Sequence, residues 1–124
     1  MPKFKAFLKD TNQVLDVEII FFELDIVKLT NNEFYQFEDV VLMQSTGLHD
    51  KNNFEIFEGD IVEIIYDSEP FTGVVVYDLE ETDFKATNGN ENYGNNFQYL
   101  TVGESIKVIG NVYQNPELLE NAWN

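Results

Sequence analysis

Apolar positions along this chain come in short runs, separated by clusters of Asn, Asp, Gly and Pro. That spacing predicts strands and turns rather than amphipathic helices. Strands are expected at Lys3–Leu8, Val14–Phe22, Ile26–Leu29, Glu33–Phe37 and Val40–Ser45, with turns at Asp10–Gln13 and Asn31–Asn32. Asn is suited to the left-handed backbone of such tight turns. Glu55–Phe57, Ile61–Tyr66, Phe71–Asp78, Phe84–Thr87, Phe97–Leu100 and Lys107–Tyr113 continue the series, and Asn88–Asn96 is expected as a loop. Only the C-terminus reads as helix. Asn115 is a candidate N-cap, Pro116 suits the first helical position, and Glu117 complements the positive end of the helix dipole. The expected architecture is mainly β: one domain over 1–124, with N-terminal strands (1–40), a small barrel core (41–113) and a terminal helix (115–123).

From Ile61 onward the strands carry apolar residues on both faces, Val62, Ile64 and Tyr66 on one and Ile61 and Ile65 on the other. Two-sided apolarity calls for cover on both faces. A barrel, the N-terminal segment or a second subunit would supply it. Eighteen aromatic residues (11 Phe, six Tyr, one Trp) in 124 also favour self-association, so a homo-oligomer is expected.

Composition narrows the chemistry. Seven Lys, no Arg, 23 acidic residues and one His give a net charge of −16. There is no Cys, hence no thiolate nucleophile, disulfide framework or Cys-based zinc site. The 44% hydrophobic content excludes a disordered acidic tail. The opening Met1-Pro2-Lys3-Phe4-Lys5 does not read as a signal peptide, and the longest strongly apolar run, Ile19–Phe22, is far below the about 20 residues a membrane helix needs. A cytoplasmic protein is expected. The abundance of Asn, Lys, Ile, Phe and Tyr without Arg fits an AT-rich genome.

Candidate catalytic and binding groups are few. His49 beside Asp50 could be a base steered by a carboxylate, but no nucleophile motif accompanies it. Asp50–Glu55 imitates two positions of a calcium loop, then places Phe54 and Glu55 where a ligand and a Gly are required. The acidic run Asp78, Glu80, Glu81, Asp83 reads as a solvated connection or a weak cation site. No cofactor or resident metal is expected. The missing Arg and the negative charge disfavour direct nucleic-acid binding, although Lys3, Lys5 and Lys9 form a small basic patch. A DNA mimic is the opposite possibility. A compact chain of this length spans roughly 35 Å, a length of duplex carrying about 20 phosphates. The competing explanation is that the charge keeps an aromatic-rich domain soluble.

Two segments have no generic explanation. One runs Leu42-Met43-Gln44-Ser45-Thr46-Gly47-Leu48-His49-Asp50-Lys51-Asn52 into Glu55-Ile56-Phe57-Glu58-Gly59-Asp60-Ile61-Val62; the other is Val108-Ile109-Gly110-Asn111-Val112-Tyr113-Gln114-Asn115-Pro116-Glu117-Leu118-Leu119. With the Lys3–Phe7 strand they resemble the YopX family of phage and prophage proteins from low-GC Gram-positive bacteria. The resemblance implies an SH3-like barrel and a phage setting, and no reaction. Similar proteins usually carry Gly at the Asn53 position, Lys at the His49 position and an Arg-Ala-Trp-like strand where this chain has Lys5-Ala6-Phe7. The signature positions Gln44, Thr46, Gly47, Asp50, Glu58, Gly59, Asp60, Gly110, Asn111, Asn115 and Pro116 read as scaffold: turns, backbone-binding side chains and a helix cap. The expected function is a non-enzymatic, self-associating interaction protein with an unknown host or phage protein as partner. A DNA-mimic inhibitor of a host DNA-binding protein is the alternative.

Overall fold

The computed structural model describes residues 3–66, 68–88, 97–100 and 105–120. The chain divides into two compact units, Met1–Ser45 and Thr46–Asn124. The division falls inside β5, five residues beyond the 40/41 boundary read from the sequence.

The first unit is built from β1 (Phe4–Leu8), β2 (Gln13–Phe21), β3 (Ile26–Leu29), β4 (Phe34–Gln36) and the opening of β5 (Val40–His49), with a 3-10 turn at Phe37–Asp39. All neighbours are antiparallel, in the order β4-β3-β2-β1-β5. Alternation puts Ala6 and Leu8 of β1 and Val27 and Leu29 of β3 on one face, where they form a core with Val40. The run Val17-Glu18-Ile19-Ile20 breaks strict alternation, and the β2–β3 register shifts between Val17 and Ile19. This bulge lets both Val17 and Ile20 reach the core, leaving Ile19 41% exposed.

The second unit contains the end of β5, β6 (Glu55–Phe57), β7 (Asp60–Tyr66), β8 (Glu69–Asp78), β9 (Asp83–Thr87), β10 (Phe97–Tyr99), β11 (Ser105–Asn111) and α1 (Glu117–Glu120). β6 lies beside β5, and the others form an antiparallel sheet in the order β10-β9-β8-β7-β11. Ile56, Val62, Ile64, Val75, Ala86 and Leu100 make its core. Each of the buried Ile, Val and Leu side chains contributes about 1.5–3 kcal/mol.

The strand positions expected from the sequence are observed with small shifts, the largest being β5, which runs on through His49. The barrel is corrected. Among the described residues the five-stranded sheet is open, with β10 and β11 at its ends. Among the described residues three-residue β10 pairs with β9, and no pairing joins it to β11. Of the helix expected at 115–123, Glu117–Glu120 is observed, Asn115 and Pro116 precede it, and 121–123 lie outside the described residues, as does the loop at 88–96 beyond Asn88. The cover needed by the two-faced strand β7 comes from within the chain, because Ile61, Val62 and Ile64 are all fully buried without a second subunit.

Turns are made by residues in the left-handed region: Asn12, Asp25, Asn32, Asn53, Ser68 and Thr82, with Gly59; Gly47, also left-handed, lies inside β5 rather than in a turn. Asn53, at φ 67°, adopts the conformation expected of a residue standing in place of Gly. Thr82 is the strained member, a β-branched residue at φ 53° in the β8–β9 turn. Thr82→Asn is therefore expected to raise stability by about 1 kcal/mol, read from urea unfolding; unchanged or lower stability would show that the Thr82 hydroxyl bond to the Glu81 carbonyl (2.7 Å) outweighs the strain.

Candidate functional site

The signature residues that are brought together lie in the second unit, and Asp50 is the most connected. β5 ends at His49, and the chain turns through Asp50–Phe54, closed by Asn53 N–H to Asp50 O (2.9 Å) and Asp50 N–H to Phe54 O (2.8 Å). The Asp50 side chain is buried, 6% exposed. Its Oδ1 accepts N–H bonds from Asn52 (2.9 Å) and Phe54 (2.8 Å), and its Oδ2 accepts from Val108 (2.9 Å) on β11. Lys51 N–H to Ile106 O (2.8 Å) adds a second tie to that strand. Burial opposes ionisation of Asp50, but the N–H donors of Val108, Phe54 and Asn52, helped by the charge of Lys51, hold its carboxyl below the usual range.

This geometry bears on the His49–Asp50 pair. His49 is exposed, whereas both carboxylate oxygens of Asp50 are engaged with backbone N–H groups. The neighbouring carboxylate serves the turn and β11, not an imidazole.

Thr46 works similarly on β6. Its hydroxyl donates to Ile56 O (2.8 Å) and accepts from Leu48 N–H (3.1 Å), while Gly47 at φ 79° takes the backbone between them. At the next corner, Asp60 Oδ2 accepts from Phe57 N–H (2.8 Å). Gly59, at φ 92°, connects in two directions: its N–H donates to Val75 O (2.8 Å) and its carbonyl accepts from Val112 N–H (2.9 Å). Glu58 is half-buried; with burial, its charge pushes the Tyr113 phenol above its ordinary value.

The C-terminal segment is closed by Asn111. Its Oδ1 accepts from Tyr113 (3.1 Å) and Gln114 (2.8 Å) N–H groups, and its Nδ2 donates to Gln114 Oε1 (2.7 Å). The side-chain cap expected from Asn115 is corrected. Asn115 Oδ1 accepts from Asn111 N–H (3.2 Å), and it is the Asn115 backbone carbonyl that accepts from Leu118 N–H (3.1 Å). The amide oxygen turns back because Gly110 leaves room for it: a Cβ there would lie 2.6 Å from Asn115 Oδ1. Pro116 sits just before α1, and its carbonyl accepts from Leu119 N–H (3.1 Å). Gln44 does not join this set; it is exposed on β5, opposite Phe4 of β1.

The acidic run at 78–83 is a built turn. Asp78 Oδ1 accepts from Glu80 (3.0 Å) and Glu81 (3.3 Å) N–H groups, and its Oδ2 lies 3.3 Å from Lys85 Nζ. The Glu81 N–H is the largest influence lowering the Asp78 pKa. Among the described residues no group of three or more His, Asp or Glu side chains is arranged to hold a metal ion. Sequence reasoning missed Gln114, whose Asn-x-x-Gln spacing to Asn111 was its only signal. It also missed which aromatic residues stay outside: Phe22 (72%), Phe34 (59%) and Phe54 (63%) are exposed, with Leu24 (65%) and Leu79 (82%).

Asp50→Ala leaves three part-buried N–H groups without their acceptor and is expected to destabilise the chain by about 3 kcal/mol. Because the folded pKa is depressed, the carboxylate's contribution is complete above the ordinary value near 3.8 and is lost as pH falls through the lower folded value. Urea unfolding of wild type and Asp50→Asn should therefore differ at neutral pH and converge in strong acid; a pH-independent difference would contradict ionisation as the cause. Gly110→Ala is expected to cost about 1–3 kcal/mol by the same assay, through displacement of the Asn115 side chain.

The sequence matches the YopX protein family over residues 3–120. A crystal structure, protein EF1440 from Enterococcus faecalis, shares the fold: TM-score 0.60 at 24% identity, covering 96% of this chain and 98% of that one. The search of curated proteins found no match. The match covers both strand-rich units and the polar anchors at Thr46, Asp50, Asp60, Asn111 and Asn115, and the chain belongs to the YopX family.

Proposed function

We propose that this chain is a non-enzymatic protein-interaction module that self-associates, encoded by a phage or prophage and acting in the cytoplasm of its bacterial host. The phage setting rests on the family and on the AT-rich residue usage. Its second unit is an opened SH3-like barrel; support comes from the meander β7-β8-β9-β10 with β11 returning beside β7. The polar signature residues engaged with backbone groups favour a scaffold role over a reactive one.

The observation that carries the interaction reading is in the first unit. Phe22 and Leu24 at the β2–β3 turn and Phe34 on β4 are more than half exposed, and Ile19 on β2 is 41% exposed. The Phe21 and Phe34 rings lie 6.3 Å apart, and Phe22 meets Phe37 edge-on at 6.3 Å. Apolar groups exposed on β2, at the β2–β3 turn and on β4, one strand beyond β3, mark a surface that gains by being covered. The exposure of most acidic residues supports the runner-up, a DNA mimic: among the described carboxylates Asp50 and Asp60 are buried, Glu55, Glu58, Asp78 and Asp83 are half-buried, and the others are exposed.

Light scattering tests self-association. A net charge of −16 makes copies repel, so the mean mass is expected to rise from about 50 mM to about 500 mM salt as the charges are screened. The triple variant Phe22→Ser, Leu24→Ser, Phe34→Ser should remain monomeric while keeping its stability within about 1 kcal/mol, the range for exposed positions. A monomeric wild type at every salt concentration would refute the self-association.

A further inference from the structure

β4 is the edge of the first unit's sheet, and its backbone is set up to accept another strand. Leu29 N–H donates to Glu33 O (3.0 Å) and Phe37 N–H donates to Asp25 O (2.9 Å). In an antiparallel pair the bonded positions alternate, so residues 33, 35 and 37 face β3. The N–H and C=O groups of Phe34 and Gln36, between them, point to the open side. Both residues are exposed, and β4 carries no Pro or Lys of the kind that blunts sheet edges.

Charge selects the occupant. Glu33 precedes β4, while Glu38 and Asp39 follow it, and all three are exposed. A second copy adding its own β4 in antiparallel fashion would bring Glu33 of one chain towards Glu38 and Asp39 of the other. An incoming strand rich in Lys or Arg meets these same groups favourably. We propose that the β4 edge takes an extended cationic segment of a partner protein by strand addition, its backbone pairing with Phe34 and Gln36, its apolar side chains lying on Phe34, and its basic side chains meeting Glu33, Glu38 and Asp39. This deepens the interaction reading and rests on it.

Gln36 supplies a clean test. Its backbone, at φ −77° and ψ 152°, is one that proline adopts, so Gln36→Pro removes the outward N–H while the inward ladder is kept. The probe is a capped seven-residue peptide alternating Lys and Val, with a Glu–Val peptide as control. Binding to wild type should be saturable, protect the Phe34 and Gln36 amides from hydrogen exchange, and weaken at least tenfold in Gln36→Pro and in Glu33→Gln/Glu38→Gln. Equal binding by Gln36→Pro would reduce the effect to bulk charge and overturn the proposal, as would equal binding of the Glu–Val peptide. Protection of the Phe34 and Gln36 amides in a peptide-free dimer would assign the edge to a second copy and overturn it too. Light scattering of the same samples reads self-association separately. A monomer that binds the Lys–Val peptide at β4 removes only self-association; an oligomer that does not bind it removes only strand addition.

Discussion

A single buried carboxylate organises the second unit. Asp50 collects N–H groups from its own turn and from Val108, 58 residues further along the chain. A buried anion is costly unless every oxygen finds a donor, so the same desolvation that threatens the group also enforces the geometry around it. The turn cannot relax without stranding the charge, and β11 cannot slide along β7 without releasing the Val108 bond. Register and turn shape are thereby coupled.

The other anchors repeat this logic with weaker groups. Thr46 ties β5 to β6, Asp60 closes the corner into β7, and Gly59 reaches both Val75 and Val112. Gly110, small enough to admit the Asn115 amide, lets the chain close after β11. Chemistry that a fold uses to hold its own backbone is not free for substrate. What remains at the surface is of another kind: exposed Phe and Leu side chains, abundant carboxylates, and a strand edge. Those features are the basis of the proposed interaction role.

Much of the fold was legible because its signals are local. Alternation in Phe4-Lys5-Ala6-Phe7-Leu8, the Asn31-Asn32 turn and the Glu58-Gly59-Asp60 corner each declare their structure within a few residues. Asn53, which stands where proteins of the family usually carry Gly, was recognisable through that resemblance, and its φ is 67°. The illegible parts are non-local. The bulge in β2 depends on how Val17 and Ile20 meet the core, and the open sheet depends on what β10 and β11 can pair with. Nothing near Asp50 in sequence discloses Val108 as its donor. Nor does an aromatic residue reveal its environment: Phe71 and Phe84 pack against the second core, while Phe22 and Phe34 stay in solvent, and only the three-dimensional arrangement separates them.

The central claim is that the signature residues around Asp50 hold the second unit together. Residue-resolved amide hydrogen exchange on wild type and Asp50→Asn at neutral pH tests it most directly. Strong protection of the Phe54 and Val108 amides in wild type is expected. In the variant that protection should be lost together with protection along β7 and β11, while Ala6 and Val27 in the first unit keep theirs. Unchanged protection of Val108 and of β7 in Asp50→Asn would contradict the account.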